Sequence, residues 1–221
     1  MVATLDVITN GRTELGIGAG WYEEEYNSYG YTYFSDIVRI LQLQESIQII
    51  KKLWTQKIAN FRGKYYSIND AICFPKPLQK PHPTIMVGGA GEKYLLKVAA
   101  KYADRYNLYF GTPEKMKRKI NILNDYNSQK RRIEHSIVLP CLMVQKYEQI
   151  EKIIKKMGKQ KMTVTQFKES IAGGLTVGTI EEIMNGISQY VNIGVNHFIF
   201  HFLHLDDSVL KEFSKVIKKS R

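Results

Sequence analysis

The sequence predicts an α/β fold in which a parallel sheet is covered by helices. Five short segments are almost continuously apolar, and each leads into a segment whose apolar residues recur at helical spacing. Strands that are apolar on both faces are typical of buried parallel sheets, and the intervening helices supply the crossover connections. A doubly wound sheet and a (β/α)8 barrel both fit this pattern.

Each element is predicted from its local pattern. The strands are expected at residues 13–18, 83–89, 105–110, 133–144 and 195–202. The helices are expected from Ser35 or Asp36 to 54, at 95–102, from Thr112 to about 129, at 149–157, from Thr179 to about 192, and from Asp206 onward. Thr179 and Glu182 have the spacing of a capping box. Residues 19–33 are expected to form a loop, residues 61–68 a small hairpin or an excursion outside the main sheet, and the polar stretch after residue 157 an irregular segment.

Composition excludes several classes of protein. No apolar run approaches the roughly 20 residues of a membrane span, and no signal peptide is evident, so a cytoplasmic protein is expected. Cys73 and Cys141 form no CxxC pair and are expected to be buried free thiols. The net charge of +11 is spread over several helical segments without a recognised DNA- or RNA-binding module, so nucleic acid is not an expected partner.

Three long motifs resemble the luciferase-like oxidoreductases. They are ATLDVITNGRTELGIGAGWYEEEY at residues 3–26, FPKPLQKPHPTIMVGGAGEKYLLKVAAKYAD at 74–104 and TVGTIEEIMNGISQYVNIGVNHFIF at 176–200. The resemblance implies that they carry the family's third helix and fourth strand, its fifth strand and helix, and its approach to strand eight. It covers nearly the whole chain, in the family's order.

The resemblance also implies an incomplete (β/α)8 barrel, equivalent to strands four to eight with their helices, as a single domain over residues 1–221. Family members carry on the order of 90 to 100 further residues before this region, consistent with barrels of about 250 residues. Two hypotheses follow. The chain is an oxidoreductase, or it is a non-catalytic remnant or a subunit that self-associates or completes its barrel with another polypeptide.

The glycine turn after the second predicted strand is the first candidate site. Gly88, Gly89, Ala90 and Gly91 lie between the strand and a helix, where backbone N–H groups and the positive end of the helix dipole favour an anion. A tight turn needs glycines in any case, so the pattern alone leaves both interpretations open. The resemblance implies that the amides from Gly89 through Glu92 to about Lys93 bind the cofactor phosphate.

The loop after the first predicted strand is the second candidate site. The resemblance places Ala19 and Gly20 beside the cofactor ring, and it gives Glu24 a hydrogen bond to the cofactor. Some deazaflavin-dependent relatives carry a catalytic carboxylate directly after this glycine, but Trp21 stands there in this chain. Trp21 is a candidate for the substrate pocket, with packing of the loop as the alternative, and the catalytic residues stay unassigned.

Three histidines near the carboxyl terminus, His197, His201 and His204, could indicate a metal site, because imidazole is a common metal ligand. No carboxylate is spaced to join His197 and His201 on one strand face, so we expect no metal site. His201 is instead a candidate substrate contact at the barrel mouth.

The resemblance implies hydride transfer between a reduced ring cofactor and an organic substrate. The Gly-Trp-x-x-Glu-x-Tyr sequence from Gly20 to Tyr26 is closer to members that use coenzyme F420, and a basic surface suits that cofactor's anionic tail. FMN, in a monooxygenase, is the alternative. The substrate is an unidentified small molecule, and no membrane partner is expected.

Overall fold

The computed structural model describes residues 1–159, 161–171 and 176–219. The chain divides into two compact units, called unit 1 and unit 2. Unit 1 comprises Met1–Asn107 and Asn121–Ile133, and unit 2 comprises Leu108–Ile120 and Glu134–Arg221.

The elements up to the first crossing between the units are α1 (Val2–Ile8), β1 (Glu14–Ile17), α2 (Glu23–Ser28), α3 (Asp36–Thr55), β2 (Ala59–Arg62), β3 (Ser67–Ala71), β4 (Thr84–Gly88) and α4 (Leu95–Tyr102). Two elements have residues in both units, namely β5 (Arg105–Tyr109) and α5 (Pro113–Tyr126). The remaining elements are β6 (Glu134–Met143), α6 (Glu148–Lys156), α7 (Val164–Ser170), β7 (Val177–Gly178), α8 (Ile180–Val191), β8 (His197–Phe202) and α9 (Asp207–Lys219).

Parallel strands form the centre of unit 1. The register of β1 on β4 runs from Glu14 opposite Thr84 to Ile17 opposite Val87. The first residues of β5 pair in parallel with the end of β4, and Gly88 lies opposite Asn107. Because parallel strands end at one edge of their sheet, the residues after β1 and β4 lie side by side.

The core of unit 1 lies between these strands and the helices α3 and α4. The side chains of Ile47, Ile85 and Val87 are fully buried, as the helical spacing of α3 and the apolar run of β4 predicted, and Leu96 of α4 is fully buried as well. The hairpin of β2 and β3 is antiparallel and forms its own two-stranded sheet, which confirms the hairpin predicted at residues 61–68.

Parallel pairing also builds unit 2. The register of β6 on β8 runs from Ser136 opposite His197 to Cys141 opposite Phe202, and the end of β6 pairs with β7. A cluster of buried apolar side chains joins β6, α8 and α9; its members are Cys141, Met143, Ile183, Ile187, Val209, Phe213 and Val216. These pairings confirm the predicted mixed α/β fold with parallel strands.

The structure differs from the sequence-based expectations in several places, among them the short strand β7, which was not predicted. The predicted loop 19–33 contains α2, and the stretch expected to be irregular contains α7. Helix α5 ends at Tyr126 instead of near residue 129, and Cys73 is only half-buried. No residue of α2 is buried, so α2 has no apolar face from which a sequence could predict it.

Two features are absent from the described ranges. None of the helices there has the length and apolar character needed to cross a membrane. Within the same ranges, His, Cys, Asp and Glu side chains form no group of three or more that could hold a metal ion.

Candidate functional site

The turn between β4 and α4 is fixed to β5 on both sides of Gly89. The Gly89 N–H donates to the Asn107 carbonyl at 3.1 Å, and the Gly89 carbonyl accepts from the Tyr106 hydroxyl at 2.8 Å. Tyr106 is fully buried, and burial, followed by the charge of Glu92, raises the pKa of its hydroxyl far above its ordinary value. Tyr106 is therefore neutral and acts as a hydrogen-bond donor.

The shape of this turn leaves room on one side and none on the other. A side chain at Gly89 would be strained, because its φ is +139° and a Cβ would lie 2.5 Å from the Leu95 Cδ2 atom. A Cβ on Gly88 would meet nothing within 4 Å. The turn therefore faces an open cradle at Gly88 and is closed behind Gly89 by Leu95.

The amino terminus of α4 follows directly from this cradle. Tyr94 is its N-cap residue and makes no side-chain capping hydrogen bond, and the first turn holds no acidic residue. The first N–H groups of a helix have no partner within the helix, and the dipole makes that end positive. Gly91 and Glu92 lie between the cradle and this helix start, so the arrangement can bind a phosphate.

The loop after β1 lies against the same edge of the sheet. A Cβ on Gly18 would lie 3.3 Å from the Gly88 carbonyl oxygen, so the ends of β1 and β4 are in contact. The structure thus brings the predicted residues Ala19 and Gly20 close to the predicted phosphate turn, as the parallel pairing requires.

Three side chains hold the main chain of this loop. The Tyr26 hydroxyl donates to the Ala19 carbonyl at 3.3 Å, Arg39 Nε donates to the Gly20 carbonyl at 3.3 Å, and the Tyr33 hydroxyl donates to the Trp21 carbonyl at 3.0 Å. Gly20 has a φ of +73°, and a Cβ there would overlap the Tyr26 hydroxyl. The loop backbone is therefore fixed beside the strand ends.

Arg39 is the residue that sequence reasoning missed. It is 6% exposed, and its guanidinium also donates to the Phe34 carbonyl and to Asp36 Oδ1, and lies 3.9 Å from the centre of the Tyr33 ring. The sequence carried a signal, because Arg39 precedes Leu43 and Ile47 at the four-residue spacing of the buried face of α3. A basic residue on that face needs a buried partner.

A cleft of about 300 Å³ lies beside the loop. Its lining includes Gly18, Ala19, Tyr26, Phe34 and Arg39, so it combines flat apolar rings with one cation. The lining also includes the polar side chains of Thr32, Gln42 and Ser46, so the cleft can contact both the apolar and the polar groups of an organic ligand.

Two other predicted residues lie in the solvent-exposed part of the loop. The Trp21 side chain is 82% exposed and packs beside Tyr22 at a centroid distance of 5.4 Å. Glu24 lies in α2 and accepts a hydrogen bond from the Tyr22 hydroxyl; this bond is the main cause that raises the pKa of Tyr22. Neither Trp21 nor Glu24 lines the cleft.

The histidines of unit 2 make separate contacts. His201 is exposed, with its ring centre 6.1 Å from that of Phe110. His197 Nδ1 lies 2.8 Å from the Ser136 hydroxyl, and His204 pairs with Asp206 at 3.4 Å. The three histidines therefore do not converge on one another.

The sequence profile described as luciferase-like monooxygenase matches residues 1–197. The chain belongs to this family. Two curated members show its range. This luciferase-like chain is 34% identical over 105 residues to an FMNH(2)-dependent dimethylsulfone monooxygenase of Pseudomonas putida, and 36% identical over 103 residues to an F420-dependent glucose-6-phosphate dehydrogenase of Amycolatopsis mediterranei.

These alignments cover 48% and 47% of the luciferase-like chain and 29% of each relative, so the match spans less than a third of their length. Among solved structures, an F420-dependent secondary alcohol dehydrogenase in complex with an F420-acetone adduct superposes with a TM-score of 0.83 at 21% identity. That superposition covers 100% of this chain and 73% of the other. The fold is thus the one shared by the luciferase-like enzymes.

Proposed function

We propose that this chain is an oxidoreductase of the luciferase-like family that transfers hydride between coenzyme F420, or FMN, and a small organic substrate. The uncapped amino terminus of α4 behind the open cradle at Gly88 carries the proposal, because it is suited to a phosphate. Both cofactors carry a phosphate, and the relatives named above include FMNH(2)- and F420-dependent enzymes.

In this proposal the phosphate binds to backbone N–H groups after Gly89, in the segment of Ala90, Gly91, Glu92 and Lys93. The Gly89 N–H itself donates to the Asn107 carbonyl, so Gly89 shapes the turn instead of binding the phosphate through its amide. The cofactor ring lies beside Ala19 and Gly20, whose carbonyls are held by Tyr26 and Arg39. When bound, the cofactor supplies the hydride chemistry. The chain's own residues bind the phosphate, orient the ring and exclude water through the aromatic lining of the cleft.

The choice between the cofactors rests on charge and on the loop sequence. The net charge of +11 favours the more anionic coenzyme F420, and the order Gly20, Trp21, Glu24, Tyr26 resembles members that use it. Glu24 as a cofactor contact, and Trp21 and His201 as substrate contacts, stay proposals. For Glu24 the hydrogen bond from Tyr22 would have to open.

The second candidate function is that of a subunit. Within the described residues β1 pairs with β4 alone and β8 pairs with β6 alone, so each strand offers one open edge. Open edges of apolar strands bind further strands. We propose that residues 1–221 form one domain equivalent to strands four to eight of a barrel, and that a second copy or another polypeptide pairs with these edges.

The experiment that tests the phosphate site is a titration of FMN and coenzyme F420 into the chain and into its Gly91→Asp variant. A carboxylate beside the cradle repels a phosphate, so we expect the variant to lose roughly tenfold or more in affinity for both cofactors. Gly91→Asn, which adds a side chain of the same size without the charge, is the matched control. Equal affinities in a folded Gly91→Asp variant would remove the phosphate site from this turn.

A further inference from the structure

A cavity of about 430 Å³ lies in unit 1, between α4 and the turn that follows α5. One wall consists of Lys97, Ala100 and Lys101 in α4, and the other consists of residues 126–129. Its size is within the range of pockets that bind small molecules. The turn at residues 88–93 does not contribute to the described lining, so this cavity is separate from the proposed phosphate site of the cofactor.

The wall formed by α4 is positively charged. Lys97 and Lys101 are both exposed and lie four residues apart, so their ammonium groups are on the same face of the helix and repel each other. Lys97 Nζ lies 5.1 Å from the centre of the Tyr126 ring, and Lys101 Nζ lies 5.3 Å from that of Tyr102. None of the described lining residues is acidic, and within the described ranges neither lysine pairs with a carboxylate. Both ammonium groups are therefore open to an anion from solution.

Two carbonyl groups beside the cavity already have donors. The Lys101 carbonyl accepts from Arg131 Nη1 at 2.7 Å, and the Tyr126 carbonyl accepts from the Ser128 N–H at 3.0 Å. Carbonyls at helix ends would otherwise attract a lysine. Ser128 and Gln129, which also line the cavity, add a hydroxyl and an amide that can donate hydrogen bonds. The cavity thus offers charged and neutral donors to an acceptor from solution.

The turn that closes the cavity has a fixed shape. Asn127 Nδ2 donates to the Arg131 carbonyl at 2.7 Å, and the Arg131 N–H donates to Asn127 Oδ1 at 3.0 Å. The Arg131 side chain also donates to the Lys101 carbonyl and pairs with Asp104 at 3.3 Å, so it attaches the turn to the end of α4. With this turn in place, α5 ends at Tyr126 instead of near residue 129. The cavity is therefore formed before any ligand binds.

We propose that Lys97 and Lys101 bind a small ligand that carries a phosphate group, in the cavity between α4 and the turn after α5. An ammonium group is a point charge that binds phosphate oxygens, and a dianion between the two lysines would relieve their mutual repulsion. A concave wall of one charge sign also raises the local concentration of anions. The inference goes beyond the proposed function and does not depend on it, since neither the loop after β1 nor the turn after β4 takes part.

Calorimetric titration with inorganic pyrophosphate at constant ionic strength tests the site. We expect the double variant Lys97→Gln, Lys101→Gln to bind at least roughly tenfold more weakly, because it loses two charge-assisted hydrogen bonds. The matched control is the double variant Lys152→Gln, Lys156→Gln, which removes the same charge from two exposed lysines spaced four residues apart in α6. Absence of pyrophosphate binding to the unmodified chain, or equal affinities of the two double variants, would overturn the proposal.

The contribution of the turn is tested without a change of charge. Asn127→Ala removes both hydrogen bonds with Arg131, so we expect pyrophosphate to bind roughly 2- to 10-fold more weakly. Asn124→Ala, at an exposed position of α5, is the control and should bind as the unmodified chain does. Equal affinities of the two alanine variants would show that the lysines attract anions without the shaped cavity, contrary to the proposal.

The Gly91→Asp variant distinguishes the cavity from the turn after β4. Pyrophosphate should bind to this variant as it binds to the unmodified chain, because the described lining of the cavity does not include residue 91. A loss of pyrophosphate binding in Gly91→Asp would place the anion at that turn and would overturn the cavity site. The affinity of the same variant for FMN tests the proposed function, so the two proposals can fail independently.

Discussion

The carboxylate of Glu45 attaches the β2–β3 hairpin to α3. Its oxygens accept three backbone N–H groups of the hairpin turn, from Lys64 at 2.7 Å and from Tyr65 and Tyr66 at 2.9 Å each. Glu45 is 8% exposed, and burial alone would raise its pKa. The backbone donors, with the nearby charge of Lys64, outweigh burial and hold the pKa of Glu45 below its ordinary value of 4.5.

Replacing Glu45 by glutamine should lower the free energy of unfolding by about 2 kcal/mol, because an amide turns its own N–H groups toward backbone donors. The pH dependence has a defined sign. A carboxylate whose pKa is lowered by folding contributes stability that is complete above pH 4.5. This stability is lost as the pH falls through the lower pKa that Glu45 has in the folded state. Urea unfolding of both proteins across this range measures the effect.

The control for this comparison is Glu25→Gln, at an exposed position in α2. It should change the unfolding free energy by less than about 0.5 kcal/mol. If Glu45→Gln behaves like the control, or if its stability falls with acid as steeply as that of the unmodified chain, then the hydrogen bonds of Glu45 do not stabilise the hairpin.

The sequence did not predict which backbone groups Glu45 and Arg39 would contact. The donors to Glu45 lie 19 to 21 residues away and converge only when the hairpin turn forms. Spacing along one helix identifies which residues share a face, but it does not say which loop returns to that face. The glycines at 88, 89 and 20 were recognised as turn residues, because a turn restricts the backbone conformation of the residues that form it.

At the scale of elements, the helix starts differ in how their N–H groups are satisfied. Helix α8 begins with the predicted capping box, in which Thr179 Oγ1 accepts from the Glu182 N–H and the Glu182 carboxylate accepts from the Thr179 N–H at 2.8 Å. Helix α4 has no such cap. A helix start that is closed by its own side chains is structural. The start of α4 has no side-chain cap, although its Leu96 N–H donates to the Gly91 carbonyl at 3.1 Å, and it is suited to an external anion.

Thr179→Ala should therefore lower the unfolding free energy by about 1 kcal/mol, the usual cost of losing an N-cap. Ser188→Ala, at an exposed position of the same helix, is the control and should change it by less than about 0.5 kcal/mol. Urea denaturation of the three proteins compares them. Equal stabilities would mean that the cap is replaced by solvent without cost.

The elements that were predicted are those with an apolar face. The strands at β1, β4, β5, β6 and β8 were expected within one or two residues of their bounds, because each is bounded by turn residues. Helix α7 was missed although Thr163 and Gln166 form a capping box that the sequence displays. Helix α2 offered no comparable signal, since its first turn is acidic and no side chain in it is buried.

At the scale of the whole molecule, the sequence predicted the family and the parallel α/β fold. Binding experiments are what identify the cofactor and any partner. The superposition on the F420-dependent secondary alcohol dehydrogenase covers the whole chain and supports the shared fold. No apolar pattern distinguishes FMN from coenzyme F420, because both carry a flat tricyclic ring and a phosphate. The open edges of β1 and β8 also make association a property to be measured.

Sedimentation velocity with FMN or riboflavin, followed in the visible absorbance of the ring, tests the central claim most directly. The two compounds share the ring and differ by the phosphate. If backbone N–H groups at the start of α4 bind that phosphate, FMN should sediment with the chain at concentrations roughly 10 to 100 times lower than riboflavin, with a difference that shrinks in salt. The same runs show whether the chain self-associates. Equal co-sedimentation of FMN and riboflavin would contradict the account.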